Sequence, residues 1–276
     1  MRRELQARCW LPRTEGAIRL GCSRRGQRSH IDVLHQRGAA RVRFPRAVGG
    51  GIEAVLVNTA GGLTGGDRMD IAVSLSAGGE ALLTSAAAEK IYRARDEQPA
   101  VILVNLTLTA GARLCWLPQP TILFNGARLD RRTEVWLGRE DCLLAVELMV
   151  FGRAAMGEEV VGGAVRDVWR VRREGALVFA ESLRLKGAIA AALQRKATLA
   201  GARAMALLVY VAPDAVERLG ETRERLRCMA GVAGASAWDG LLLVRAMAED
   251  ASTLQRDVAA LVEWLSARPL PRVWRC

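Results

Sequence analysis

The sequence predicts a mainly β fold with two α-helices in its C-terminal third, and three observations carry that reading. Strand-like runs separated by glycine turns recur about every ten residues through the first 180 positions. Half of the 276 residues are hydrophobic but only 5% are aromatic, so the core leans on Val, Leu and Ala. From about residue 188 the apolar spacing shifts toward the helical period. A sandwich, a barrel and a solenoid all fit this pattern. No Gly/Ser linker, low-complexity segment or short-period repeat interrupts the chain. One domain is therefore expected over 1–276, β-rich over 1–187 and mixed α/β over 188–276.

The elements follow in order. Ala54-Val55-Leu56-Val57 leads into a glycine loop, and Ile71, Val73 and Leu75 then alternate with small or polar residues. Gly78-Gly79 turns the chain into a strand from Glu80 to Ser85. Val101 to Thr109 places Ile102, Val104, Leu106 and Leu108 on one face and Asn105, Thr107 and Thr109 on the other. Pro118 and Pro120 punctuate the approach to Thr121–Phe124. Further strands are expected at Thr133–Leu137, Cys142–Phe151, around Val165, Val168 and Val171, and at Leu177–Leu185. Ala188–Ala200 fits either helix or extended chain. Met205–Val211 and Leu241–Arg245 read as strands. A helix is expected from Pro213-Asp214 to about Met229, with Arg223, Arg225 and Arg227 outward. Asp250 or Ser252 caps a last helix with a stripe of Leu254, Val258, Leu261, Val262 and Leu265.

The net charge is +11 and nearly all of the positive charge is arginine. Basic chains bind nucleic acid, anionic membranes or acidic proteins. Here the arginines are spread along the chain, with modest concentrations at Arg2–Arg28 and Arg166–Arg173, and are not interleaved with aromatics as in nucleic-acid binders. No pair of the six cysteines (9, 22, 115, 142, 228 and 276) has CxxC spacing, which argues against structural zinc. A signal peptide and a membrane span are not expected, and free thiols suit a cytoplasmic setting.

The glycine loop is Ala60-Gly61-Gly62-Leu63-Thr64-Gly65-Gly66-Asp67-Arg68. Such clustering marks positive φ or close approach of another backbone or a ligand. A phosphate loop ends in Gly-Lys-Ser/Thr and opens a helix. Here Asp67 follows Gly66 and the next segment alternates as a strand, which argues against phosphate binding. Catalytic motifs are also missing: His30 and His35 are five apart, without HExxH, and no GxSxG occurs. A hydrolase using an acidic dyad lacks a nucleophile and a defined pocket.

Carboxylates are more informative. Asp67 follows the glycine loop. Glu147 interrupts the apolar run Leu143–Val150, Glu158 and Glu159 follow Met156-Gly157, and Glu181 lies within Leu177–Leu185. A buried carboxylate must be paired, be hydrogen-bonded or change its pKa. Two readings follow: pairing with arginines, Arg153 and Arg184 being the natural partners, or a water-filled passage or hard-ligand site for a divalent cation.

Five segments in register resemble the urease accessory protein family UreD, also called UreH. They are the glycine loop; Leu83-Thr84-Ser85-Ala86-Ala87-Ala88-Glu89-Lys90-Ile91-Tyr92-Arg93; Leu117-Pro118-Gln119-Pro120-Thr121-Ile122-Leu123-Phe124-Asn125-Gly126-Ala127; Phe151-Gly152-Arg153-Ala154-Ala155-Met156-Gly157-Glu158; and Leu270-Pro271-Arg272-Val273-Trp274-Arg275. The chain departs from the family pattern in three places. Asn58-Thr59-Ala60 replaces a frequent His-Pro-Pro, Glu89 stands where threonine or serine is usual, and Asn125 replaces a frequent aspartate. The first change removes an imidazole, leaving Asp67 to carry any metal role of that loop.

The resemblance implies a β-helix-like, stacked-sheet body that is a scaffold and not an enzyme. It implies docking on the urease apoprotein and on UreF, with the GTPase UreG received through UreF, and Ni²⁺ passed through a tunnel toward the urease active site. Nickel would be transient, with no permanently bound cofactor, no nucleic acid and no membrane partner. Asp67, Glu147, Glu158 and Glu181 are the candidate path residues. Gly61, Gly62, Gly65 and Gly66 would shape the loop so that Asp67 faces the passage, and the C-terminal helices would face UreF. The rival expectation is an arginine-rich adaptor for nucleic acid or another anionic partner, with steeply salt-dependent binding.

Overall fold

The computed structural model describes residues 13–45, 50–153 and 156–275. Cys9, Cys276, the arginines before residue 13 and the Ala154-Ala155 piece of the fourth motif lie outside the described residues. Strands and helices are numbered in chain order. One sheet has seven strands, in spatial order β14 (Ala176–Ala188), β13 (Gly162–Arg173), β11 (Arg128–Leu137), β8 (Ala100–Leu108), β5 (Arg68–Ser76), β1 (Glu15–Arg25) and β2 (Arg28–Gly38). The other runs β16 (Val232–Trp238), β17 (Leu241–Ala248), β15 (Ala204–Val211), β12 (Cys142–Phe151), β9 (Arg113–Leu117), β6 (Glu80–Ser85), β4 (Ile52–Asn58) and β3 (Ala40–Arg43). The short β10 (Thr121–Leu123) joins β12 to β7 (Glu89–Ile91) at its side.

The chain passes back and forth between the sheets. From β4 to β13, successive long strands alternate sides, and neighbours along each sheet are parallel. Parallel strands need a long crossover. Here the crossover is itself a strand of the opposite sheet, so short turns suffice at the corners. Of sandwich, barrel and solenoid, the stacked coil is the form adopted. Antiparallel pairs finish the stack: β1 with β2 and β13 with β14 on one sheet, and β12–β15–β17–β16 on the other.

Two apolar clusters follow. The larger lies between the sheets and includes Ile102, Val104, Leu106 and Leu108, as the alternation in β8 predicts. The smaller covers the outer face of the second sheet beneath α3 (Ala251–Ser266). β12 is therefore buried on both faces, which explains its continuous apolar run. Leu144, Val146 and Leu148 pack outward, while Leu143, Ala145 and Met149 pack between the sheets. Glu147 has the inward parity.

The last helix matches its expected stripe: Leu254, Val258, Leu261, Val262 and Leu265 are all buried, and the Asp250 side chain accepts from the Thr253 amide at 2.8 Å. The helix expected from Pro213 is shorter. α2 spans only Leu219–Leu226, after turns that leave Val216 exposed. Asp214 is spent on the Tyr210 hydroxyl (2.8 Å) and the Arg218 guanidinium (2.5 Å), so it caps no helix. The ambiguous alanine-rich stretch resolves into a single helical turn, α1 (Ile189–Leu193), followed by turns.

Asp141 secures the corners. It is fully buried and accepts from the amides of Ala112 (2.9 Å), in the β8–β9 connection, and Gly138 (2.6 Å), in the β11–β12 connection stacked beside it. Replacing it with Ala leaves the buried Ala112 amide unmet and the half-buried Gly138 amide with only its 3.3 Å bond to the Leu108 carbonyl, so Asp141→Ala should cost about 1–3 kcal/mol. Urea denaturation is the check, with an expected fall in midpoint at unchanged slope.

Candidate functional site

The site grows from one row of register partners across the first sheet. Gly16, Met69, Ile102, Arg131 and Asp167 are successive partners in β1, β5, β8, β11 and β13. The row faces the other sheet, so an apolar stretch ends in a guanidinium and a carboxylate between the layers. Opposite lie Glu147 of β12 and Thr121 of β10. Arg131 donates Nε to Asp167 Oδ1 at 3.0 Å and Nη2 to Oδ2 at 2.6 Å. Its Nη1 donates to Thr121 Oγ1 at 2.9 Å and also to Glu147 Oε1. Arg131 is 3% exposed and Glu147 7%, so this four-residue cluster is screened from solvent.

Two cavities border the cluster. The larger, about 190 Å³, lies between the sheets and is lined by Met69, Ile102, Trp116, Thr121, Arg131 and Glu147. Its outer end reaches the exposed Gly61, Ala86 and Ala87, with Asn58 and Glu89 beside them. The smaller, about 70 Å³, is lined by Glu147, Asp167, Trp169, Glu181 and Arg245. Glu147 thus borders both spaces. Trp116 and Trp169 each line one of them, and neither indole N–H has a hydrogen-bond partner among the described residues.

Burial pushes the Glu147 carboxyl up, against the opposing pull of Arg131. Burial by itself would lower the Arg131 pKa, but Asp167 and Glu147 raise it, so the guanidinium stays charged. Glu89 sits near the outer end of the larger cavity, and burial pushes it to about 7 although its Oε1 accepts from the Asn58 amide at 3.0 Å. Its register partner across β7–β10 is Thr121, which links it to the cluster.

The four candidate acids fall in different places. Glu147 and Glu181 line the same smaller cavity. Glu181 pairs with Arg245 of β17 and not with Arg184, whose Nε donates to Ser182 Oγ at 3.3 Å. The reason is parity: Arg184 lies three residues along β14, on the opposite face from Glu181. Glu158 borders neither cavity. It accepts from Arg153 Nε at 2.8 Å, as the sequence suggests, and from the Asn125 amide at 3.3 Å. The Arg153 bond, outweighing burial, lowers its pKa. Asp67 is 5% exposed and accepts from the amides of Thr14 and Thr64, both at 2.8 Å. Its carboxylate is spent on backbone amides, one in the loop and one in the segment that leads into β1.

The glycines have separate reasons. Gly61 and Gly66 have φ of +75° and +85°. At Gly62 a Cβ would lie 2.7 Å from the Lys90 carbonyl oxygen, and at Gly65 it would strike the Gln98 carbonyl. The loop packs closely against the segment around Lys90 and Tyr92, where Leu63 N donates to Lys90 O at 2.8 Å and Tyr92 N to Leu63 O at 2.7 Å.

Sequence reasoning missed Arg131 and Asp167, yet a parity signal existed. Arg131 shares its face of β11 with Leu129, Thr133, Val135 and Leu137, all buried. Asp167 shares its face of β13 with Val165, Trp169 and Val171. A charge of each sign at inward positions of paired strands points to a buried cluster. Of the second arginine concentration, Arg166 pairs with Asp130 and Arg172 with Glu134. Among the described residues, no three His, Cys, Asp or Glu side chains converge as a metal-ligand group, and no helix is long and apolar enough to cross a membrane.

The raised pKa of Glu89 gives a signed test. Unfolded Glu ionises near 4.5 and folded Glu89 near 7, so its charge costs stability that is absent below the first value and complete above the second. Glu89→Gln should therefore stabilise by about 1–3 kcal/mol at pH 8 and by almost nothing at pH 4.5. Denaturation at both pH values is the check.

A family model described as UreD urease accessory protein matches residues 14–275. The chain is similar to the urease accessory protein UreD of Azorhizobium caulinodans, 45% identical over 95% of this chain and 96% of that protein. It is 47% identical to that of Xanthobacter autotrophicus, over 95% and 90%. It is 44% identical to that of Rhizobium leguminosarum bv. viciae, over 95% of each. The stacked coils, the glycine loop and a match over nearly the whole length agree: the chain belongs to the UreD family of urease accessory proteins.

Proposed function

We propose that this chain is a non-enzymatic chaperone scaffold of urease maturation that conducts Ni²⁺ between its partners. In this reading it docks on the urease apoprotein and on UreF, receives nickel from UreG through UreF, and works in the cytoplasm. The observation that carries it is the pair of cavities between the sheets, which share the buried Glu147 as a wall. The relatives' shared description as urease accessory proteins supports the context.

The chemistry suits a carrier. A conduit must hold an ion weakly enough to release it, and carboxylate, hydroxyl and water oxygens are harder, less tenacious nickel ligands than imidazole or thiolate clusters. Glu89 near one end, Glu147 on the shared wall and Glu181 in the smaller cavity supply spaced carboxylates. Asp67 and Glu158, which border neither cavity, act on the path through loop shape in this reading. The outer faces of the C-terminal helices are the proposed UreF side, α3 keeping its apolar stripe on the sheet.

Two variants test the reading in a host whose own copy of this gene is deleted. Glu147→Gln and Glu181→Ala should each lower nickel-dependent urease activation by roughly tenfold while UreF still co-purifies, since one conduit carboxylate is worth about 1–2 kcal/mol to a passing cation. Full activation in both variants would overturn the proposal.

A further inference from the structure

We propose that Arg131 is a tethered cation that closes this passage, holding between Glu147 and Asp167 the place that a divalent cation takes in transit. The inference rests on the conduction reading and adds its regulation.

Three observations converge on it. The first is charge. Asp167 alone completes a bidentate pair with Arg131, and the two are direct register partners on neighbouring strands. Glu147, from the opposite sheet, is surplus to that pair and leaves the cluster with two carboxylates and one guanidinium. A divalent cation would balance both carboxylates; the guanidinium balances one. The second is position. Arg131 and Glu147 border the larger cavity, and Glu147 and Asp167 the smaller, so the guanidinium bond network stands between the two spaces.

The third is chemistry and room. With the guanidinium withdrawn, Thr121 Oγ1 and the two carboxylates present hard oxygen ligands of the kind divalent cations take. The arginine stem is long and flexible. The adjoining 190 Å³ space, walled by Met69 and Ile102 of Arg131's own row, can receive its head group. An arriving dication therefore competes with the guanidinium for the same oxygens, and a monovalent ion competes poorly.

The test uses the full-length chain and CoCl₂ as a spectroscopic probe, followed by equilibrium dialysis. Arg131→Met should bind one additional Co²⁺ roughly tenfold more tightly than the unaltered chain, because the competing charge is gone. Co²⁺ should also raise the melting temperature of Arg131→Met more than that of the unaltered chain. Adding Glu147→Gln to Arg131→Met should abolish the extra site. A folded Arg131→Met chain that binds Co²⁺ no more tightly than the original overturns the proposal, as does a gain that survives Glu147→Gln. If Arg131→Met does not fold, Arg131→Lys serves: its ammonium cannot span both carboxylates as the fork does, so roughly threefold tighter Co²⁺ binding is expected and no change overturns the idea. A gained site together with normal urease activation in both Glu147→Gln and Glu181→Ala leaves Arg131 as the occupant of a cation site but overturns conduction, and with it the closing of a passage.

Discussion

The architecture turns on one buried guanidinium. Arg131 reaches from the first sheet to the second, binding Asp167 on its own layer and Glu147 and Thr121 on the other. A buried ion pair is weak evidence for stability, because the desolvation of each charge offsets most of its attraction. Well-packed apolar residues of similar volume would have filled this gap at no greater cost. What the cluster supplies is polarity at a fixed depth between two layers, and cavities adjoin it on both sides.

The coil topology explains how that polarity is positioned. Parallel register carries an inward parity unchanged from strand to strand, so Met69, Ile102, Arg131 and Asp167 form one line across four strands. The second sheet faces it with Glu147, on a strand buried on both sides by the inter-sheet core and by α3. Corner contacts such as those of Asp141 keep successive coils in step, and the glycine loop packs against the segment leading from Glu89 and Lys90. Rigid layers with a polar seam hold widely spaced carboxylates at constant separation, which a loop-built site could not do.

Much of the fold was legible because alternation and glycine turns report directly on strands. The inward face of β8 and the stripe and cap of α3 follow from period alone. The coil itself was not legible from residues, since a strand's partner is a non-local fact; the motif resemblance supplied it. The helix expected from Pro213 was shorter, its first part forming turns in which Asp214 bonds Tyr210 and Arg218. At the site, Glu147 stood out as a charge in an apolar run. Arg131 did not, because it sits among Asp130 and Arg132 and looks like an exposed charged stretch until strand parity is applied. The pairing of Glu181 with Arg245, 64 residues away, depends on β14 meeting β17 in space.

Nickel-edge anomalous diffraction from crystals of this chain with its accessory partners, grown in Ni²⁺, tests the central claim most directly. The account predicts anomalous peaks inside the two cavities, within coordination reach of Glu147 and with Arg131 turned aside. Nickel confined to the outer surface, with Arg131 still bridging Glu147 and Asp167, would contradict it.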